Sequence, residues 1–177
     1  VDGKRPAEEV RKEIFAHGAS VSEVKRKANS NDMEFVRGSK YNRRIHSATP
    51  MDMAGPAAGN AKLVTKLSTN GKEAFGMNNN CACGYTPWGT YLTCEENFLN
   101  VIGRAMGDDT KRSEAEIVAL KRYGLPDGRK NPYAWDSPEG EEFKRWNSAV
   151  TAETAKDDYR NVFNSFGWVV EIDPFRP

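Results

Sequence analysis

The chain has 177 residues, of which 38% are apolar, and 26 Lys and Arg nearly balance 25 Asp and Glu for a net charge of +1. A chain of this length is expected to form one domain. Its apolar fraction is below the usual ~45–50%, which indicates either a loop-rich fold or a core that is completed by further parts of a longer chain. The balanced charge excludes a broad basic surface for nucleic acid or anionic membrane, and no apolar run approaches the ~18 residues of a membrane span.

The first predicted element is a helix that begins near Pro6 and ends at Gly18. Pro6 suits a first helical position, and Val10 and Ile14 lie on one face at i and i+4. His17 ends this helix, where a lone histidine is more often a surface residue that complements the helix dipole than a metal ligand. Residues 19–25 are predicted to form an irregular strand.

Two adjacent arginines, Arg43 and Arg44, follow a short apolar segment at 33–36. In an extended segment their side chains point to opposite faces, so at most one of them faces any given site. A solvated basic turn with one buried ion pair is favoured over a phosphate-binding role. Further along, the alternation at 63–67 predicts a strand.

All three cysteines lie within the run NNNCACGYTPWGTYLTCEEN, residues 78–97. Its second half is rich in β-branched and aromatic residues and predicts a strand that ends in the carboxylates Glu95 and Glu96. Cys81 and Cys83 are two residues apart, so both thiols would project from one side of an extended segment. An odd number of cysteines, and a spacing too tight for an easy mutual disulfide, leave at least one thiol free or metal-bound.

Long charged segments with helical spacing make up residues 103–164, which we expect to form a helical insertion. A capping box at Ser113 and Glu116 predicts the start of one helix, which ends at Gly124. A second polar helix is predicted at 140–146. We expect the whole region to be a surface elaboration rather than a core or a site.

The last predicted element is a strand over 167–174 that ends at a proline. Trp168, Val170 and Ile172 would share one face of it, and the carboxylates of Glu171 and Asp173 would share the other. A carboxylate that becomes buried needs a partner, because an isolated ionised one is costly in an apolar environment. A metal ion or an arginine is the natural partner.

From the residues alone, two interpretations of these groups stay open. Cys81, Glu96 and Glu171 offer one soft and two hard ligands, a mixture suited to iron or zinc with calcium or magnesium nearby. Alternatively, Cys94 is a core residue of its strand, Glu95 and Glu96 lie in solvent, and Cys81 is a small buried hydrophobe.

Three separated motifs carry a resemblance to a known family: CxxGYTPWGTYLTCEENF, YNRRIHSATPMDMAGPAAGN and the terminal FGWVVEIDPFRP. In this order they resemble the PhoX-type bacterial alkaline phosphatases. The resemblance implies a mainly β fold with a helical insertion at 103–164, α+β by content, as part of a β-propeller with antiparallel blades. Members of the family are much longer, so residues 1–177 are expected to form a single partial domain from the N-terminal part of the propeller.

The resemblance also implies a mixed iron and calcium cluster that serves the hydrolysis of phosphate monoesters. Matched by motif, Cys81 would ligate iron, and Glu96 and Glu171 would bind the cluster, with mutual separations of roughly 3–6 Å. The resemblance implies more weakly that Glu95, Asp173 and Cys83 bind metal or support its ligands. It implies, also more weakly, that Arg43 and Arg44 bind phosphate. Cys83 departs from the small uncharged residue expected at its position.

Partners and location follow from the same resemblance. Small-molecule phosphate esters and the remainder of a longer parent chain are the expected partners, and the parent is expected in the periplasm or outside the cell after twin-arginine export. No signal-peptide pattern occurs in the 177 residues, and a start at Val1 is consistent with removal of a leader upstream. The chain alone is expected to be inactive, because it supplies too few ligands for the cluster.

Two other classes of function remain as alternatives. A structural zinc or iron site in a non-enzymatic module would use Cys81, Cys83, Cys94 and His46, although their spacing matches no common zinc-binding pattern. A non-catalytic propeller would instead use Trp88 and Trp168 for packing between blades, with the carboxylates paired to Arg43 or Arg44.

Overall fold

The computed structural model describes residues 3–177, which form short strands, three α-helices and many turns. The helices are α1 (Ala7–Ala16), α2 (Glu114–Tyr123) and α3 (Glu141–Lys144). The strands are β1 (Ala19–Val21), β2 (Val24–Arg26), β3 (Met33–Phe35), β4 (Arg43–Ile45), β5 (Pro50–Asp52), β6 (Glu73–Phe75), β7 (Asn80–Tyr85), β8 (Tyr91–Glu95) and β9 (Val169–Ile172).

The described strands form small antiparallel sheets rather than one continuous sheet. Three of them are two-stranded, β1 with β4, β2 with β3 and β5 with β6, and the fourth has the order β7-β8-β9. The predicted antiparallel, mostly β character with few helices is confirmed. No closed barrel forms within residues 3–177, so the partial propeller stays a prediction.

Two of the predicted strands differ from the structure. Residues 19–25 divide between β1 and β2, which belong to different sheets. The strand predicted at 63–67 is wrong, because a 3-10 turn occupies Ala61–Leu63. The side chain of Asn60 accepts the backbone N–H of Lys62 there, and such local bonds compete with extended structure.

The first helix forms as predicted, with Val10 and Ile14 buried on its inner face. His17 caps the C-terminal end of this helix as expected, with its Nδ1 atom 2.8 Å from the carbonyl oxygen of Glu13. Its ring is partly buried and packs edge-on against Trp135 with centroids 4.9 Å apart, a contact that was not predicted. Glu13 of the same helix accepts the indole N–H of Trp135 at 2.8 Å. Residues of the 103–164 region therefore pack directly on α1.

The main apolar core comes largely from residues 103–164, so the prediction of a surface elaboration is wrong. Trp135 and Trp146 are fully buried and pack edge to face with centroids 4.8 Å apart. The other buried members of this cluster are Val10, Ile14, Val101, Ile102, Leu120, Leu125, Phe143, Tyr159, Val162, Phe163 and Phe166. Most of these side chains lie on turns and 3-10 segments, where no helical or strand period marks them as buried.

Both helices predicted within this region are present. Ser113 and Glu116 form the predicted capping box of α2, and Gly124 ends that helix in the left-handed conformation. The short helix α3 falls within the predicted 140–146 segment. A separate small core of Ile45, Met77 and Ile172 joins β4 to β9 of the three-stranded sheet.

Candidate functional site

The cysteine-rich run folds into a β-hairpin, with Tyr85 on β7 paired to Tyr91 on β8. The loop between them is closed by Thr86 and Thr90: the N–H of Thr86 donates to the carbonyl of Thr90 at 2.9 Å, and the two hydroxyls lie 2.7 Å apart. Gly89 takes a φ of +92°, which a side chain would rarely allow. The turn predicted from Pro87 and Gly89 is thus confirmed.

A β-bulge interrupts β7 at the cysteines. Asn80 pairs with Glu95 and Cys83 pairs with Thr93, so three steps along β7 oppose two along β8. Cys83 therefore lies across from Thr93, whereas Cys81 contacts Glu96, whose side chain alternates to the other face of β8. The expectation that both thiols share one side is wrong, because the extra residue breaks the two-residue alternation.

The carboxylate of Glu96 lies close enough to the thiol of Cys81 for the thiol to donate a hydrogen bond to it, and both residues are exposed. This hydrogen bond, followed by the negative charge of Glu96, raises the pKa of the Cys81 thiol. A thiolate and a carboxylate here would repel each other unless a proton or a cation lay between them. The contact brings together two of the three predicted metal ligands.

Glu95 turns the opposite way and holds the strand ends together. Its carboxylate accepts backbone N–H groups from Asn78 at 2.8 Å, from Gly167 at 2.7 Å and from Trp168 at 3.2 Å. Burial raises the pKa of Glu95 to about 7 against the opposing effect of these bonds. In the described residues this side chain supports the loops beside the sheet.

Glu171 lies on β9, where it pairs with Leu92 of β8. Its Oε1 accepts the hydroxyl of Thr90 at 2.5 Å and the indole N–H of Trp88 at 2.8 Å. The Thr90 bond, then the Trp88 bond, lowers the pKa of Glu171, because both donors favour the ionised carboxylate. The prediction that Glu171 and Ile172 lie on opposite faces of β9 is confirmed, since Glu171 is exposed and Ile172 is buried.

The three predicted ligands do not all converge within this chain. Leu92, the partner of Glu171, is four residues from Glu96, which corresponds to about 13 Å along a strand. Over residues 3–177, no group of three or more His, Cys, Asp or Glu side chains is arranged to hold a metal ion. The donor types suit iron at Cys81 and calcium at the carboxylates, but the spacing does not suit one metal ion bound by all three.

A groove of about 690 Å³ lies beside this sheet and is lined by residues of both β5 and β9. Four acidic residues line it, Asp52, Glu95, Glu171 and Asp173, together with the arginines Arg43 and Arg176 and with Trp168. The four acidic groups outnumber the two arginines, and Arg43 is engaged with the carbonyls of Asp173 and Pro174. The groove therefore has an excess of negative charge that a cation would complement.

The two arginines are engaged with main-chain carbonyl groups. Arg43 donates to the carbonyls of Asp173 at 2.5 Å and Pro174 at 3.2 Å, so it ties β4 to the end of β9. Arg44 donates to the carbonyls of Phe15, at 3.2 Å, and of Ala16. These carbonyls lie at the C-terminal end of α1, where they have no partner within the helix. These contacts were not predicted, because they join segments far apart in sequence.

The alternative zinc site gains no support from the described residues. The Nδ1 atom of His46 accepts the backbone N–H of Ala48 at 3.1 Å, and its ring packs edge-on against Phe15. Within residues 3–177, His46 and the cysteines do not form a cluster that could hold a metal ion. Trp168, expected to pack between blades in the other alternative, donates its indole N–H to the carbonyl of Asn164 at 2.9 Å.

Two residues that contact Glu171 were missed as parts of the site, Thr90 and Trp88. Both belong to the TPWGT turn, where the sequence signals only a turn and a strand start. The spacing along the chain does not show that this turn reaches a strand eighty residues later. No sequence pattern considered above could have found them.

Comparisons with known proteins give a consistent result. A family model described as alkaline phosphatase PhoX matches residues 2–177. The solved structure of Pseudomonas fluorescens PhoX in complex with vanadate, a transition state analogue, is similar with 40% sequence identity and a TM-score of 0.75. That match covers 98% of this chain and 27% of the solved chain, so the present chain spans about a quarter of its length. A comparison with curated proteins found no match.

Proposed function

This chain belongs to the alkaline phosphatase PhoX family, and from that premise we propose that it is part of a metal-dependent phosphatase acting on phosphate monoesters. The observation that carries the proposal is the 40% identity, over 98% of this chain, to a PhoX protein solved in complex with vanadate, a transition state analogue. The donor groups at the sheet agree with it. Thiol and carboxylate side chains, of the types that bind iron and calcium, lie on β7, β8 and β9 or directly beside them.

We assign the metal ligands by donor chemistry. The thiol of Cys81, already in contact with Glu96, would hold iron, and Glu171 would hold calcium, with Asp173 nearby in the groove. When bound, such ions would polarise the phosphoryl oxygens and offset the charge that develops on them during hydrolysis. Glu95 keeps the strand ends in place through its three backbone bonds, and Cys83 lies across from Thr93, away from Cys81.

The remainder of a longer protein would complete the site. The described residues hold the thiol of Cys81 and the carboxylate of Glu171 apart, and iron and calcium need ~6 or more donors each. We therefore propose that the small sheets are part of an incomplete propeller, and that the chain alone has negligible activity. The proposed location of the whole protein, periplasmic or extracellular, rests on the family resemblance. Within residues 3–177 no helix has both the length and the apolar character needed to cross a bilayer.

The test compares this chain with a longer protein that contains it. A chromogenic phosphate monoester should be hydrolysed by the longer protein and not by the 177-residue chain, with or without added iron and calcium. Elemental analysis should find both metals in the longer protein. Cys81→Ala there should release iron and remove most of the activity, while Cys83→Ala serves as the matched thiol control.

Three outcomes would contradict the proposal. Turnover by the 177-residue chain would show that the site is complete here. An undiminished Cys81→Ala protein would remove the assigned iron ligand. Zinc as the sole metal would favour a structural site of a different kind.

A further inference from the structure

The TPWGT turn between β7 and β8 has contacts that the proposed metal ligands do not account for. Thr90 Oγ1 lies 2.5 Å and Trp88 Nε1 lies 2.8 Å from the same atom, Oε1 of Glu171. The two donors come from one turn, and the acceptor comes from a strand more than eighty residues later. Among the described residues, no donor bonds the other oxygen, Oε2.

Two donors on one oxygen restrict the carboxylate in a useful way. A glutamate side chain on a strand has three rotatable bonds, and fixing one oxygen from two directions removes most of that freedom. The oxygen that receives no bond is then held in a defined direction for another partner. Supporting bonds of this kind are typical of carboxylates that ligate metals, and their loss usually lowers metal affinity ~10–100-fold.

The turn is built to hold its donors still. Thr86 Oγ1 accepts the N–H of Thr90 at 3.0 Å, and the N–H of Gly89 donates to the carbonyl of Thr86, also at 3.0 Å. Thr86 is buried, so this closure is shielded from water. Pro87 has its φ restricted by its own ring. The hydroxyl of Thr90 therefore extends from a rigid loop.

The exposure of Trp88 argues that its ring is not placed for packing within the described residues. Its side chain is 72% exposed, whereas the packing tryptophans Trp135 and Trp146 are fully buried. An exposed indole bonded to an exposed carboxylate contributes little to stability. A role at Glu171 explains both its position and its bond.

We propose that Thr90 and Trp88 are positioning residues that orient the carboxylate of Glu171 for a divalent cation. This inference rests on the proposed function, in which Glu171 is a metal ligand. The two residues act through Glu171 and do not touch the cation. The TPWGT turn thereby gains a role that its sequence does not show.

Terbium(III), a hard cation that replaces calcium and is sensitised by a nearby indole, provides the test in the 177-residue chain. The wild-type chain should show tryptophan-sensitised terbium emission that calcium competes away, and Glu171→Gln should abolish it. Thr90→Val keeps the shape of the side chain and the indole sensitiser. It removes the hydroxyl that contacts both Glu171 and Thr86, and it should weaken terbium binding about 10-fold. Thr90→Ser restores the hydroxyl and should bind as the wild type does.

Trp88→Phe removes the sensitiser, so its affinity is measured by calorimetry and should also fall. Circular dichroism melts of each variant show whether the chain remains folded. Emission unchanged in Thr90→Val, together with loss in Glu171→Gln, would overturn the positioning role and leave the proposed ligand intact. Failure of Thr90→Ser to restore binding would also overturn it. Emission unchanged in Glu171→Gln would overturn the ligand role and the positioning role together. If the wild-type chain binds no terbium because the remaining ligands lie outside it, the same variants are compared by the calcium content of the longer protein. There, an unchanged content in Glu171→Gln would overturn both roles, and an unchanged content in Thr90→Val would overturn the positioning role.

Discussion

The carboxylate of Glu95 accepts the backbone N–H of Gly167 at 2.7 Å and thereby connects the end of β8 to the segment that leads into β9. The same side chain accepts N–H groups from Asn78 and Trp168. One glutamate thus satisfies three main-chain donors from two loops that are remote from each other in sequence. The relative placement of Cys81 and Glu171 depends on this connection.

Glu95→Ala should destabilise the chain by about 2 kcal/mol, because three backbone donors lose their acceptor in a half-buried position. The measurement is urea denaturation followed by circular dichroism. Glu96→Ala is the matched control, since Glu96 is adjacent but exposed, and it should change the free energy of unfolding by less than about 0.5 kcal/mol. Equal effects of the two substitutions would contradict the role of Glu95 as a connector.

Asp108 should make stability depend on pH in the acid range. It is buried and accepts bonds from Arg104 at 2.7 Å, Arg112 at 2.9 Å and the N–H of Val150 at 2.6 Å. Burial alone would raise the pKa of Asp108, but these three donors outweigh it and the net pKa is lowered. The stabilisation is therefore complete above the unfolded-state pKa of about 3.9 and is lost as pH falls below it.

Asp108→Asn tests this dependence. The variant should lose about 3 kcal/mol at neutral pH, because two buried guanidinium groups each lose one carboxylate partner and keep only Asp109 and Glu116, respectively. Between pH 5 and pH 3 its unfolding free energy should fall less steeply than that of the wild type. A wild-type curve parallel to the variant curve over this range would show that Asp108 titrates normally.

Cys81 should react slowly with alkylating reagents for an exposed thiol. Glu96 raises its pKa, so less thiolate is present at a given pH. Glu96→Gln removes the charge and should speed the reaction of Cys81 with iodoacetamide at pH 8 by a few fold, as followed by peptide mass spectrometry. Cys83, exposed on the same strand, is the internal reference and should keep its rate. An equal change at both thiols would indicate a general opening of β7 instead.

The tryptophans allow a direct test of where the core lies. Trp146→Ala should cost about 3–5 kcal/mol, because its ring is fully buried against Trp135 and Phe166. Trp88→Ala, at an exposed position, should cost less than about 0.5 kcal/mol. Thermal or urea unfolding of the two variants provides the comparison. A small cost for Trp146→Ala would restore the picture of 103–164 as a surface elaboration.

The elements that could be predicted from the sequence are those whose stability comes from neighbours along the chain. The spacing of Val10 and Ile14 predicted the buried face of α1, and the capping box predicted the start of α2. The run of β-branched and aromatic residues likewise predicted the strand β8 before the two glutamates, and the alternation of side chains predicted the exposed and buried faces of β9. The family resemblance identified the lineage for a similar reason, since it depends only on the order of residues.

The features that could not be predicted depend on contacts between distant segments. The pairing of β8 with β9 brings Thr90 next to Glu171. Most of the buried side chains around Trp146 lie on turns and 3-10 segments, which have no regular spacing of apolar residues. The bulge at Cys81 follows from how β7 aligns with β8, and one extra residue reverses which face a thiol takes. Local periodicity carries the information for helices and strands, whereas strand register and the packing of turns are set by bonds across the fold.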